Sequence, residues 1–256
     1  MFMKEPTPLF WTIFFELYEA LPRQGPGNRN CAERALHLCA ELPDSPRILD
    51  LGCGTGGQTL HLAELTSGSI VAIDSHAPSI ERLKAKLEEQ ALSERIQARV
   101  GNMAHPEQLP ESFDLVWSEG ALYNIGIANA LSVCHELLRP GGYLAFTDAV
   151  WRKDNPPPEV KASFELDYPT MGGVDDVLAA IRDSGFELVG LFTLPNEAWW
   201  TDFYTPMEIR IAALRNKYTN NCKALAILDQ LAEEPHMHRR FSAYYAYEFF
   251  VARRPL

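Results

Sequence analysis

Short runs of apolar residues alternate along this chain with longer stretches in which apolar positions recur every three or four residues. The first pattern reads as buried strand and the second as amphipathic helix. "NCAERALHLCAE" (30–41) predicts a helix ended by Pro43. "RILDLG" predicts a strand that runs into a glycine turn and a helix at 58–65. "SIVAID" (69–74) is the second strand, and "APSIERLKAKLEEQA" (77–91) a strongly amphipathic helix. "IQARVGN" (96–102) is a third strand in which Gln97 and Arg99 alternate with apolar residues. "FDLVWSEG" (113–120) is the fourth, "IANALSVCHELL" (127–138) a helix, and "GYLAFTDAV" (142–150) a fifth strand behind the turn "RPGG".

The pattern loosens after Val150. "WRKDNPPPEVKASFELDYPT" (151–170) is proline-rich and reads as a loop or cap segment. Regular signals return in "VDDVLAAIRDSG" (174–185, helix) and "FELVGLFTLP" (186–195, strand). A mainly helical insertion follows over 196–240, and "YYAYEFFVAR" (244–253) is a last, aromatic strand. Strands alternating with helices predict the α/β class, a doubly wound and mainly parallel sheet covered on both faces. The expected organisation is an N-terminal helical segment (1–44), a core (45–195 and 241–256), and the insertion (196–240) as a candidate substrate cap. Such sheets bind ligands beyond the carboxyl ends of their strands.

Composition narrows the function classes. Hydrophobic residues are 46% and charged residues 22%, enough to bury a sizeable core. A net charge of −11 argues against nucleic acid and against a polybasic membrane anchor. The five cysteines form no C-x-x-C pair, so reduced thiols are expected rather than disulfides or a zinc site. "PLFWTIFFELYEAL" is too short to span a bilayer, is interrupted by Glu16 and Glu19, and is followed by no small-residue cleavage site. A cytoplasmic protein without membrane insertion is the expectation.

The glycine turn carries most of the chemistry. Gly52, Gly54 and Gly57 match the dinucleotide spacing G-x-G-x-x-G. Asp50, two positions before Gly52, is poorly placed for a doubly anionic pyrophosphate and suits a ligand that presents a cation. S-adenosylmethionine carries an ammonium and a sulfonium and no phosphate. No G-K-[ST] follows, which excludes a Walker loop. Asp74, ending the second strand, can accept hydrogen bonds from ribose hydroxyls of either cofactor. It can equally cap the helix at "APSIERL".

"ILDLGCGTGG", "VAIDSHAPSIERLK", "VGNM", "FDLVWSEGALYNI" and "LLRPGGYLAFTD", in this order over residues 45 to 150, resemble the class I S-adenosylmethionine-dependent methyltransferases. The likeness is to their small-molecule branch, which includes the ubiquinone and menaquinone methyltransferases. The E/D-x-G-x-G-x-G core is met by Asp50, Gly52, Gly54 and Gly56. The resemblance implies a seven-stranded Rossmann-like sheet whose last strand is antiparallel. It implies S-adenosylmethionine as methyl donor, S-adenosylhomocysteine as product, and a small-molecule acceptor. Asp50, Gly52, Cys53 and Gly54 would line the donor's methionine part, and Asp74 its ribose. Ser75 or His76 would lie beside the adenine, which Asn102 and Met103 would also contact. Asn102 stands where aspartate is more usual. Glu119 would face donor and acceptor together.

Methyl transfer is an in-line displacement to which a protein contributes mostly proximity and alignment. Glu119 and Tyr123 are the catalytic or substrate-orienting candidates, with Asn124 beside them. Each can instead stabilise the turn after the fourth strand. His236 and His238 in "HMH" are too few for a metal and are expected in a solvated loop, as is His105 beside Pro106. Trp199, Trp200, Phe203 and Tyr204 can roof an apolar pocket or simply pack on the core. "LFWTIFFELYEAL", with Phe10, Trp11, Phe14 and Tyr18, can be a lid helix or ordinary packing. Two rivals stand beside methyl transfer. An NAD(P)-dependent oxidoreductase lacks an evident Tyr-x-x-x-Lys or His/Asp set. The other rival is a module that binds S-adenosylmethionine without transferring its methyl.

Overall fold

The computed structural model describes residues 7–165 and 167–256. The start of the N-terminal segment, with Lys4 and Glu5, and Leu166 of the proline-rich stretch lie outside the described residues. The core is a seven-stranded sheet in the order β3-β2-β1-β4-β5-β7-β6. Its strands are β1 (Arg47–Leu51), β2 (Ser69–Asp74), β3 (Ile96–Val100), β4 (Phe113–Glu119), β5 (Leu138–Trp151), β6 (Glu187–Thr193) and β7 (Tyr245–Arg253). β7 runs antiparallel to both β5 and β6, and the other neighbouring pairs are parallel. The expected terminal pair therefore forms, with the last strand in sequence inserted between β5 and β6.

Buried parallel strands need apolar residues on both faces, and β1, β4 and β5 supply them almost without interruption. Ile48, Leu115, Trp117 and Phe249 face the layer of α2 (Arg29–Leu38), α3 (Gly57–Leu65) and α4 (Ala77–Glu89). Leu49, Val116, Phe146 and Phe250 face α5 (Ile127–Leu137) and α7 (Val174–Asp183). Strand order reverses at β1, which pairs with β2 on one side and β4 on the other. That reversal opens a crevice at the carboxyl ends of β1 and β4.

A third core lies over the sheet's carboxyl edge. It joins α1 (Pro8–Tyr18) to α9 (Thr205–Lys217) and α10 (Cys222–Phe241), and packs them on Ala149 of β5 and Tyr245 of β7. A short helix, α8 (Glu197–Trp199), enters α9 through a π turn at Trp200–Tyr204. Three expectations are corrected. The proline-rich stretch is not all loop: α6 (Pro158–Glu165) starts on Pro158, where a missing N–H costs nothing. The "HMH" segment is not a solvated loop but lies inside α10, which continues through Pro235. β5 also begins earlier than expected, at Leu138. The "RPGG" turn is absorbed as an irregularity, with Gly141 at φ +79° and the register against β4 shifting between Phe113 and Leu115.

Candidate active site

The chain turns immediately after β1. Gly52, Gly54 and Gly56 hold φ of +75°, +53° and +87°, a region that L side chains rarely adopt. A Cβ would also strike Ala121 from Gly52 and Leu83 from Gly56. Gly57, third in the dinucleotide spacing, has no such conformation and opens α3. The backbone thus distinguishes the x-G-x-G-x-G spacing from G-x-G-x-x-G. Gly52 N–H and Cys53 N–H both donate to Ile73 O, at 2.8 and 3.1 Å, fixing the turn to the end of β2. Cys53 is buried, and burial raises its thiol well above the usual range.

Three carboxylates surround this turn. Asp50 is fully buried; Thr59 Oγ1 donates to it at 2.6 Å and Gln58 Nε2 at 3.4 Å. Burial pushes it up to about 7, against the pull of the Thr59 hydrogen bond and with a push from the Glu119 charge. Asp50 therefore ties β1 to the first turn of α3 at the turn's base. Asp74 accepts from Gly54 N–H and from His76 N–H, both at 2.8 Å. It holds the glycine turn and the loop of Ser75 and His76 together. Glu119, at the end of β4, accepts from Trp117 Nε1 at 2.9 Å and pairs with Arg23 at 2.7 Å.

That ion pair is almost fully enclosed, the two side chains being 5% and 2% exposed. Arg23 Nε and Nη1 are buried without a hydrogen-bond partner. Gln24 Oε1 accepts from Thr55 N–H at 3.1 Å. Arg23 N–H reaches Asp202 O in the π turn, and Gly27 N–H reaches Ala198 O. The strap between α1 and α2 is thereby clamped between the glycine turn and the helical insertion. Sequence reasoning missed Arg23 and Gln24, because no periodicity marks an irregular segment.

Met103 packs beside Gly52, where a Cβ would lie 3.5 Å from its Cε. Asn102 is exposed and turns inward on its own loop, accepting from Ala104 N–H at 2.9 Å. His76 lies flat against Phe15 of α1, with ring centroids 4.0 Å apart, and bonds Glu19 at 2.9 Å. Arg82 bonds the same carboxylate. The apolar N-terminal run therefore touches the β2 loop as well as the third core. Asn124 caps its own turn through Ala121 O. His105 is exposed, and its N–H donates to Asn102 O at 3.0 Å, closing the loop after β3.

Tyr123, on a 3-10 turn (Leu122–Ile125), stacks on Tyr168 at 4.9 Å. Tyr168 in turn donates to Asp148 Oδ2 at 2.8 Å. Asp148 is 1% exposed, and burial pushes it up to about 7. Trp199, Phe203 and Tyr204 are buried within the insertion, Trp200 only partly. His238 is buried against Trp199 at 4.1 Å and bonds Tyr245 at 3.1 Å, whereas His236 is exposed. Two residues apart on a helix, the histidines point to different sides and cannot converge on one ion.

Residues 48–142 match the family model described as a methyltransferase domain. A 24-methylenesterol C-methyltransferase of Oryza sativa subsp. japonica is 25% identical over 239 residues, covering 88% of this chain and 63% of that protein. A demethylmenaquinone methyltransferase of Lactiplantibacillus plantarum is 35% identical over 106 residues, covering 40% and 45%. The chain thus spans less than two thirds of the length of either curated relative. Among solved structures, an S-adenosylmethionine-dependent methyltransferase of Thiobacillus denitrificans, crystallised with S-adenosylhomocysteine, superposes with a TM-score of 0.80. It is 19% identical, with 94% of this chain and 97% of that one covered, and the likeness is one of fold.

Proposed function

We propose that this chain, a class I methyltransferase fold whose residues 48–142 match a methyltransferase domain, transfers a methyl group from S-adenosylmethionine to a small-molecule acceptor. The observation that carries the reading is the turn after β1. Its left-handed glycines are those of D-x-G-x-G-x-G, and Asp50, Asp74 and Glu119 stand around it. Three carboxylates offset by one arginine disfavour a pyrophosphate. They suit an ammonium and a ribose. The unpartnered Nε and Nη1 of Arg23 suit the carboxylate of an amino acid end. The residues present therefore fit S-adenosylmethionine, which brings a methyl group already activated on a sulfonium.

The chain's own residues bind, align and exclude water. Gly52, Cys53 and Gly54 allow the backbone to approach a ligand closely, with Gly56 starting the helix behind them. Asp74 takes the ribose hydroxyls, and Ser75, His76, Asn102 and Met103 border the adenine. Glu119 is the orienting group between donor and acceptor, and Tyr123 faces the acceptor from the next turn. The helical insertion, 196–240, serves as the acceptor's cap, and the N-terminal segment as a lid over the donor. Among the described residues no helix is long and apolar enough to cross a membrane. The charge of −11 supports action on a small molecule and not on nucleic acid. Titration calorimetry with S-adenosylhomocysteine and with NAD tests the reading: only the first is expected to bind.

A further inference from the structure

The sheet ends in two outer strands, and the chain guards only one of them. β3 carries Gln97 and Arg99, and Arg99 donates to Pro106 O, holding the loop that follows. β6, at the other end of the strand order, bonds only β7, so its outer row of backbone N–H and C=O groups is unpaired. An open row of this kind is a template for another strand, and lysine, arginine or proline usually blunts it. "ELVGLFT" contains none of the three. Leu188, Val189 and Leu191 are 43%, 40% and 36% exposed along it. Register against β7 slips between Leu188 and Gly190, so Val189 is an extra residue and the regular edge runs over 190–193.

Two exposed charges flank this strand without a partner. Glu187, at its start, stands opposite Arg253 of β7, but the Arg253 guanidinium is held by both oxygens of Glu41, at 2.8 and 2.5 Å. Arg34 of α2 lies 4.1 Å over the ring of Phe192, near the strand's end, and meets no carboxylate among the described residues. Both charges stand on the α2 face of the sheet. Arg253 lies over Tyr143 and Phe192 stacks on Phe249, and both of those rings belong to the α2 layer. With acid at its start and base at its end on one face, the edge complements itself only in the antiparallel sense. A parallel copy would set like charge beside like.

We propose that β6 docks a second copy of this chain, antiparallel about a twofold axis near Leu191, so that the two sheets become one. An axis perpendicular to the sheet keeps both α2 layers on the same side. It brings Glu187 beside Arg34 of the partner subunit, and the same pair recurs on the other side of the axis. Backbone hydrogen bonds and the exposed Leu188 and Leu191 supply the contact, and the charges fix its direction. β5 and β7 separate this edge from β4, so the glycine turn and Glu119 stay clear of it in both copies.

Sedimentation velocity on the full chain over a concentration series tests the dimer. The parent chain is expected to associate reversibly, with the amides of 190–193 exchanging hydrogen more slowly as the dimer fills. Leu191→Lys places a charge on the open edge and is expected to weaken the dimer at least about tenfold, with the far-ultraviolet circular dichroism unchanged. Arg34→Glu and Glu187→Arg, taken singly, each create two like-charged pairs and should weaken it by about tenfold or more. Combined in one chain, they should restore the dimer to within about threefold of the parent. A chain that stays monomeric up to about 100 µM overturns the proposal. A dimer indifferent to Leu191→Lys overturns it too, as does a double reversal that restores nothing.

Discussion

At the scale of single residues, the site is governed by carboxylates that burial makes unhappy as anions. Glu119 tolerates its enclosure because Arg23 is 2.7 Å away and Trp117 donates a second hydrogen bond. Removing one partner of such a pair is far worse than removing both, since the remaining charge stays desolvated. Arg23→Ala is therefore expected to cost about 3–5 kcal/mol in urea unfolding. Arg23→Ala with Glu119→Gln should recover more than half of that loss. Asp148 has no cation to help it, and its raised value of about 7 fixes the sign of a pH effect. Folding takes up a proton there between the unfolded value of about 3.9 and 7, so its contribution to stability is lost as pH rises through that window. Asp148→Asn removes this loss. The advantage of the ligand-free variant over the parent protein should grow by on the order of 3 kcal/mol between pH 5 and pH 8. Thermal melts at the two values check this; a gain that does not grow with pH would show that Asp148 is not buried as an acid. Asp50, raised in the same way, is common to both proteins and cancels.

Among elements, the informative contacts are those the N-terminal segment makes with the loops after β1, β2 and β4. α1 presents Phe15 to the His76 ring and Glu19 to His76 and Arg82. The strap behind it inserts Arg23 against Glu119 and Gln24 against Thr55. If this segment is a lid, donor binding must tighten it. Limited proteolysis is expected to show residues 10–30 cut more slowly with S-adenosylhomocysteine than without. Phe15→Ala should abolish most of that protection and leave the core intact. An equal cleavage rate with and without the ligand would reduce α1 to ordinary packing. What was legible in the chain divides along the same line. β1, β2 and β4 announce themselves because buried parallel strands are continuous apolar runs, and the glycines after β1 have few other uses. α6 was hidden because its prolines signal a loop as strongly as a first helical turn. The helical state of "HMH" was hidden because Pro235 and two histidines weaken the pattern of α10. Arg23 and Asp148 were hidden because their roles depend on partners 96 and 20 positions away.

For the whole molecule, the sheet brings the glycine turn and its carboxylates to one edge, and the third core covers that edge. The reversal of strand order at β1 places the glycine turn, Asp74 and Glu119 on one edge. The helices over that edge add a cluster of aromatic residues, Tyr168, Trp199, Tyr204 and Tyr245 among them. The fold alone does not choose a ligand, because doubly wound sheets hold many cofactors at the same place. The choice rests on the carboxylates around a turn whose three left-handed glycines leave the backbone open. Titration calorimetry of the full chain with S-adenosylhomocysteine and, separately, with NAD is the most direct test. One equivalent of S-adenosylhomocysteine binding per chain, with no heat from NAD, is the expected result; NAD binding without S-adenosylhomocysteine binding would contradict it.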